Sequence, residues 1–136
     1  MKSVRMAVVA LCCLSTGAFG QDIAAGQDTF LHYCATCHGA EALGNGPMSP
    51  VLLVQPKNLT LLAAENDGVF PVGRVIWRID GRDPLASHGS SMPVYGDFFE
   101  GRGTAIRGED GVLIMSSKPI VDLIAWLQSI QKEAGN

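Results

Sequence analysis

The stretch Cys34-Ala35-Thr36-Cys37-His38 places two thiols and an imidazole within five residues. Residues three and four apart share one face of a helix, so these three side chains can face one flat ligand. The spacing C-x-x-C-H is the pattern for covalent attachment of a c-type haem. It predicts thioether bonds from Cys34 and Cys37 to one haem c, with His38 as an axial ligand of its iron.

The C-x-x-C pair has two other common uses. A thiol–disulfide oxidoreductase places its first cysteine at a helix N-terminus after a strand, whereas residues 26–33 look helical and precede Cys34. A zinc site needs four ligands, and neither a second C-x-x-C nor an H-x-x-x-H follows in the sequence. Haem attachment is therefore favoured, and a thiol oxidoreductase remains an alternative.

The first 20 residues are typical of an export signal. Lys2 and Arg5 precede an apolar run at residues 6–14, and small residues follow it, which predicts cleavage between Gly20 and Gln21. The run is far shorter than the ~20 residues of a membrane-spanning helix, so no stable membrane insertion is expected, although an uncleaved anchor is the alternative. Because c-type haem is attached on the outer side of the bacterial membrane, the export signal and the motif agree on a periplasmic location.

Residues 21–136 have the length of a single domain. After removal of the signal, the 13 acidic residues outnumber the eight remaining basic ones. This acidic balance argues against nucleic-acid binding and suits a partner with a basic surface. Cys12 and Cys13 leave with the signal, so no cysteine remains for a disulfide once Cys34 and Cys37 hold the haem.

Three helices are expected around the motif. Asp22 can cap the first, which extends to His38, and Pro71 and Gly81 flank a second at residues 72–80. The last begins at Ser116 or Ser117, with Pro119 in its first turn. The glycine- and charge-rich residues 100–111 are expected to form a mobile loop.

Together these features resemble a class I bacterial mono-haem cytochrome c over most of residues 21–136. The family has a Gly-x-x-x-aromatic first helix, matched by Gly26 and Phe30, and a final helix that crosses it, matched by Leu123 and Trp126. The resemblance implies an all-α cytochrome c fold, in which the terminal helices cross and short helices and loops enclose one haem.

The resemblance also implies the second axial ligand. Met92-Pro93 lies in the helix-breaking segment 82–99 and matches the family's axial methionine motif. A thioether favours reduced iron and raises the reduction potential. His88, four residues earlier, is the rival ligand.

Other haem contacts follow in part from the family and in part from the residues. In the family a proline carbonyl accepts a hydrogen bond from the axial histidine, and Pro47 is the matching residue, with Pro50 as the alternative. Indole and guanidinium groups near the second helix can bind the haem propionates. These candidates are Trp77, Arg74, Arg78 and Arg82.

The predicted function is a periplasmic carrier of single electrons with His38 and Met92 as iron ligands. Two filled axial positions leave no site for a substrate, so redox protein partners are expected rather than catalysis. The alternative is a haem enzyme or gas sensor whose sixth iron position is open or displaceable.

Overall fold

The computed structural model describes residues 20–84, 92–96, 98, 99, 101 and 103–133. The expected export signal up to residue 19 and the candidate ligand His88 lie outside these described residues. None of the described helices has the length and apolar character needed to cross a membrane.

Within the described ranges the chain forms four α-helices and one two-stranded sheet. The helices are α1 (Ile23–Tyr33), α2 (Ala35–His38), α3 (Val72–Asp80) and α4 (Lys118–Ser129). The strands are β1 (Gly103–Arg107) and β2 (Leu113–Ser117), and single 3-10 turns lie at Ser49–Val51, Leu59–Leu61 and Ala64–Asn66.

The β1–β2 hairpin contradicts the all-α prediction. Its strands pair antiparallel with Ile106 opposite Ile114, and Ile106 is buried in the core. The turn is closed by the Gly108 N–H, which donates to the Val112 carbonyl over 2.8 Å. The expected loop at residues 100–111 therefore contains a strand and a turn. Glycines and charges obscured β1, which buries only alternate side chains, Thr104 in part and Ile106 fully.

Helices α1 and α4 pack closely against each other. The Asp22 carboxylate caps α1 by accepting a hydrogen bond from the Ala25 N–H over 3.0 Å. One turn later Gly26 faces the backbone of Asp122, with no room for a Cβ atom between them. Phe30 and Trp126 extend the contact, with ring centroids 4.4 Å apart. The attachment motif follows directly from the end of α1, so the packing of α1 against α4 fixes its position.

Helix α4 begins directly after Ser117, which occupies the N-cap position. Neither its hydroxyl nor that of Ser116 makes a capping hydrogen bond. The expected position of the cap is therefore correct, but the expected side-chain hydrogen bond is wrong. Pro119 in the first turn has no N–H to satisfy, which lowers the need for a side-chain cap.

Helix α3 has the predicted bounds. Pro71 precedes it, and Gly81 ends it in the left-handed conformation at a φ of +84°. The hairpin holds α3 at both ends: Glu109 accepts a hydrogen bond from the Gly73 N–H over 3.1 Å, and Arg82 donates to the Met115 carbonyl over 3.1 Å. The helix is thereby fixed with one face toward the core and another toward a cavity.

Candidate functional site

Cys34, Cys37, His38 and Met92 all line one cavity of about 550 Å³. Cavities of roughly 300–1,000 Å³ are typical of small-molecule and cofactor sites in proteins. Its apolar walls include Leu52, Val54, Leu59, Leu62, Pro71 and Val75. The cavity thus combines two thiols, an imidazole and a thioether with mainly apolar surroundings.

The motif is positioned by a single helical turn. Cys34 joins α1 to α2, and its carbonyl accepts hydrogen bonds from the N–H groups of Cys37 and His38 over 3.1 and 2.9 Å. The loop that follows turns back to α2: the Gly44 N–H donates to the His38 carbonyl over 2.7 Å, and the Gly46 N–H to the Cys37 carbonyl over 3.0 Å. These bonds satisfy carbonyls that a helix end leaves free, and they hold the turn rigidly.

His38 is held in a form suited to metal binding. Its Nδ1 lies 3.1 Å from the Lys57 carbonyl oxygen, which can only accept, so Nδ1 carries the proton and Nε2 keeps a free lone pair. Burial lowers the pKa of His38, although the hydrogen bond to Lys57 opposes this shift. A neutral imidazole with a carbonyl on its second nitrogen is the usual arrangement of a metal-ligating histidine.

The partner of His38 is therefore Lys57, and neither Pro47 nor Pro50. Pro47 lies beside α2, because the next residue, Met48, donates its N–H to the Thr36 carbonyl over 3.0 Å. Lys57 lies beside the imidazole, and two residues later the Leu59 N–H is bonded to the Ala42 carbonyl over 2.8 Å.

Cys34 does not have the character of a catalytic thiol. Burial, and to a smaller extent the nearby Cys37, raise its pKa to about 11. Thiols of disulfide oxidoreductases are instead shifted down, to about 3.5–7.5, so that they react as thiolates at neutral pH. The two cysteines are not joined in a disulfide. This environment disfavours the thiol oxidoreductase alternative.

Met92 and Pro93 line the same cavity as the motif. Met92 packs against the hydrophobic core and is partly buried. The segment is attached to α3 by Tyr95, whose N–H donates to the Ile79 carbonyl over 2.7 Å. Tyr95 also lines the cavity, and its phenol donates a hydrogen bond to the Tyr33 carbonyl over 3.2 Å.

Helix α3 places two of the candidate cations in the cavity wall. Arg74 and Arg78, one turn apart, both line the cavity. Arg74 bonds the Asn66 side chain over 2.6 Å, and Arg78 pairs with Asp83 over 3.0 Å.

Trp77 and Arg82, also expected near the cofactor, do not line the cavity. Trp77 lies on a different face of α3 and is exposed. Arg82 follows the left-handed Gly81, and its guanidinium binds Asp80 and the Met115 carbonyl instead. The expectation that they contact the cofactor is therefore not supported by their positions.

Sequence reasoning missed two contributors to this site. The Lys57 carbonyl is a backbone group, and no side-chain pattern marks it. Tyr95 carried a signal, since it is an aromatic residue three positions after Met92 in a segment otherwise rich in small residues and prolines.

No protein-family model, curated protein or solved structure matches the chain. In the part of the chain that the structure describes, no three His, Cys, Asp or Glu side chains form a group able to hold a metal ion. The fold and site thus define a small domain of helices and one hairpin, with a single C-x-x-C-H motif opening into an apolar cavity.

Proposed function

We propose that this protein carries single electrons through one covalently attached haem c, with Cys34 and Cys37 as attachment residues and His38 and Met92 as axial ligands. The observation that supports it most is the shared cavity, which brings together the groups that such a cofactor needs. The likeness to class I cytochromes c in the sequence points to the same activity.

The residues present fit a haem. The cavity is apolar enough for a porphyrin, His38 offers a free Nε2, and the Cys34 and Cys37 thiols are not engaged in a disulfide. Arg74 lines the wall as a cation suited to a propionate. The haem supplies the one-electron chemistry when bound, while these side chains hold it, exclude water and tune its potential.

The proposed setting is the periplasm, with the mature chain beginning at Gln21. Both axial ligands come from the protein, so the proposal is a carrier and not an enzyme. Its acidic balance suits redox partners with a basic surface. Such electron-transfer contacts are usually small and transient.

Expression of the full chain in cells with c-type haem-attachment machinery tests the proposal. The purified protein should keep its pigment through acid–acetone extraction, which removes haem that is not covalently bound. The matched control is the Cys34→Ala/Cys37→Ala variant, from which any pigment should be extractable. A wild-type protein that yields no acid-stable pigment would refute the proposal.

The axial methionine is tested separately. The oxidised protein should show the weak far-red absorption band of a sulfur–iron bond, and Met92→Ala should abolish it. Met48→Ala is the control, because Met48 is exposed and lies outside the cavity. Rapid binding of carbon monoxide by the reduced wild-type protein would instead favour the enzyme or gas-sensor alternative.

A further inference from the structure

We propose that Tyr95 is a positioning residue that holds the Met92 segment against the attachment motif through its hydrogen bond to the Tyr33 carbonyl. The inference rests on the proposed function, because it concerns Met92, the second of the two proposed iron ligands. It assigns a role to a side chain that the C-x-x-C-H and Met-Pro patterns do not include.

The bond joins the two halves of the site directly. The Tyr33 carbonyl belongs to the last residue of α1, adjacent to Cys34, where a helix leaves its carbonyls without helical partners. Tyr95 donates to it over 3.2 Å across 62 positions of sequence. Met92 lies three residues from this anchor, so the bond limits how far its thioether can move from the cavity.

Tyr95 is also anchored through its backbone, so its hydroxyl holds a residue that is already attached to α3. Its N–H is bonded to the Ile79 carbonyl at the end of α3 over 2.7 Å. The residue is thus fixed to α3 by its backbone and to α1 by its phenol. Residues 92–96 form neither a helix nor a strand, so tethers of this kind fix their position.

The ring of Tyr95 is held independently of its hydroxyl. It stacks on Phe99 with centroids 5.4 Å apart, and Phe99 packs edge-on against Tyr33 at 5.3 Å. Phe99 is itself buried in the core. Replacing Tyr95 by phenylalanine should therefore keep the aromatic packing and remove only the bond to α1.

The test compares Tyr95→Phe with Tyr33→Phe in the haem-loaded protein. Both variants remove one hydroxyl group from the same aromatic cluster, but Tyr33→Phe keeps the backbone carbonyl that accepts the bond. Loss of one hydrogen bond should raise the rate of carbon monoxide binding to the reduced protein about 2- to 10-fold in Tyr95→Phe. The far-red sulfur–iron band should also vanish at a lower temperature. Tyr33 also lines the cavity, so Tyr33→Phe can change both measurements slightly, but its effect should be clearly smaller than that of Tyr95→Phe.

A third variant separates positioning from general loosening of the fold. In a Met92→Ala background, Tyr95→Phe should cause no further increase in the binding rate, because no thioether remains to be held. Equal rates for Tyr95→Phe and Tyr33→Phe, or an equal increase with and without Met92, would overturn the inference. A wild-type protein without pigment or far-red band would overturn the proposed function itself, which is a distinguishable result.

Discussion

Gly26 is the position where the packing of α1 on α4 leaves the least room. A Cβ atom there would overlap the carbonyl oxygen of Asp122, and it would lie 2.5 Å from the Asp122 carbonyl carbon and 3.0 Å from the Leu123 nitrogen. All three obstacles are backbone atoms, so no side-chain rotation relieves the overlap. Ordinary contacts between carbon atoms lie at ~3.5–4.0 Å, so the helices would have to separate by about 1 Å.

Two opposing terms set the size of the effect. Alanine gains about 1 kcal/mol over glycine in a helix. Overpacking costs about 1–3 kcal/mol, and the upper end applies here because separating the helices also loosens Phe30 against Trp126. Gly26→Ala should therefore lower the free energy of unfolding by about 2 kcal/mol. Gly26→Val should lower it by about 3 kcal/mol, because valine forfeits part of the helix gain and adds two methyl groups.

Guanidinium unfolding of the haem-loaded protein, followed by far-ultraviolet circular dichroism, measures this loss as a lower midpoint at an unchanged slope. Gly103→Ala is the matched control, since a Cβ atom there meets only the Met115 Cε, at 3.8 Å. That variant should stay within about 0.5 kcal/mol of the wild type. A Gly26→Ala protein as stable as the wild type would show that the two helices do not cross at this glycine.

Three further changes test other parts of the structure. Lys118→Met should lower the free energy of unfolding by about 1–2 kcal/mol, because the buried Asp122 carboxylate loses a partly exposed cation but keeps the hydrogen bond from the Asp22 N–H. Adding Asp122→Asn should recover part of this loss, and denaturation curves that show no loss for Lys118→Met would contradict the reasoning. Glu109→Ala should cost about 1 kcal/mol in the same assay, because the N-terminus of α3 loses its acceptor, and an unchanged midpoint would deny that role. In a redox titration, Arg74→Gln should lower the reduction potential more than Arg82→Gln, since of these two arginines only Arg74 lines the cavity; the reverse order would count against this placement.

Local sequence signals were sufficient to predict a helix where the residues at its ends mark its limits. Helix α3 has its predicted limits because Pro71 and Gly81 flank a short amphipathic stretch, and both act through their own backbone conformations. The N-terminus of α1 was predictable for the same reason, since Asp22 caps it from within the same turn. In each case the determining contact spans only a few residues.

The hairpin was not predictable in this way. β1 and β2 have five residues each, and the glycines and charges around β1 resemble a loop. What stabilises them lies elsewhere in the chain: Ile106 is buried in the core, Arg82 binds the outer edge of β2, and Glu109 in the turn reaches α3. Each of these contacts depends on where α3 and α4 already lie, so the strands are set by tertiary structure and not by local propensity.

The same distinction explains which parts of the site the sequence revealed. The C-x-x-C-H motif is visible because one helical turn brings its three side chains together without help from the rest of the chain. The partner of His38 is not visible, because any carbonyl can accept from Nδ1 and the choice of Lys57 depends on how the preceding loop is bonded to α2. The placement of Met92 likewise depends on Tyr95, whose two hydrogen bonds reach α3 and α1. The three side chains of the motif are therefore brought together by local structure, whereas Met92 and the Lys57 carbonyl are placed by contacts that form only when the helices have packed.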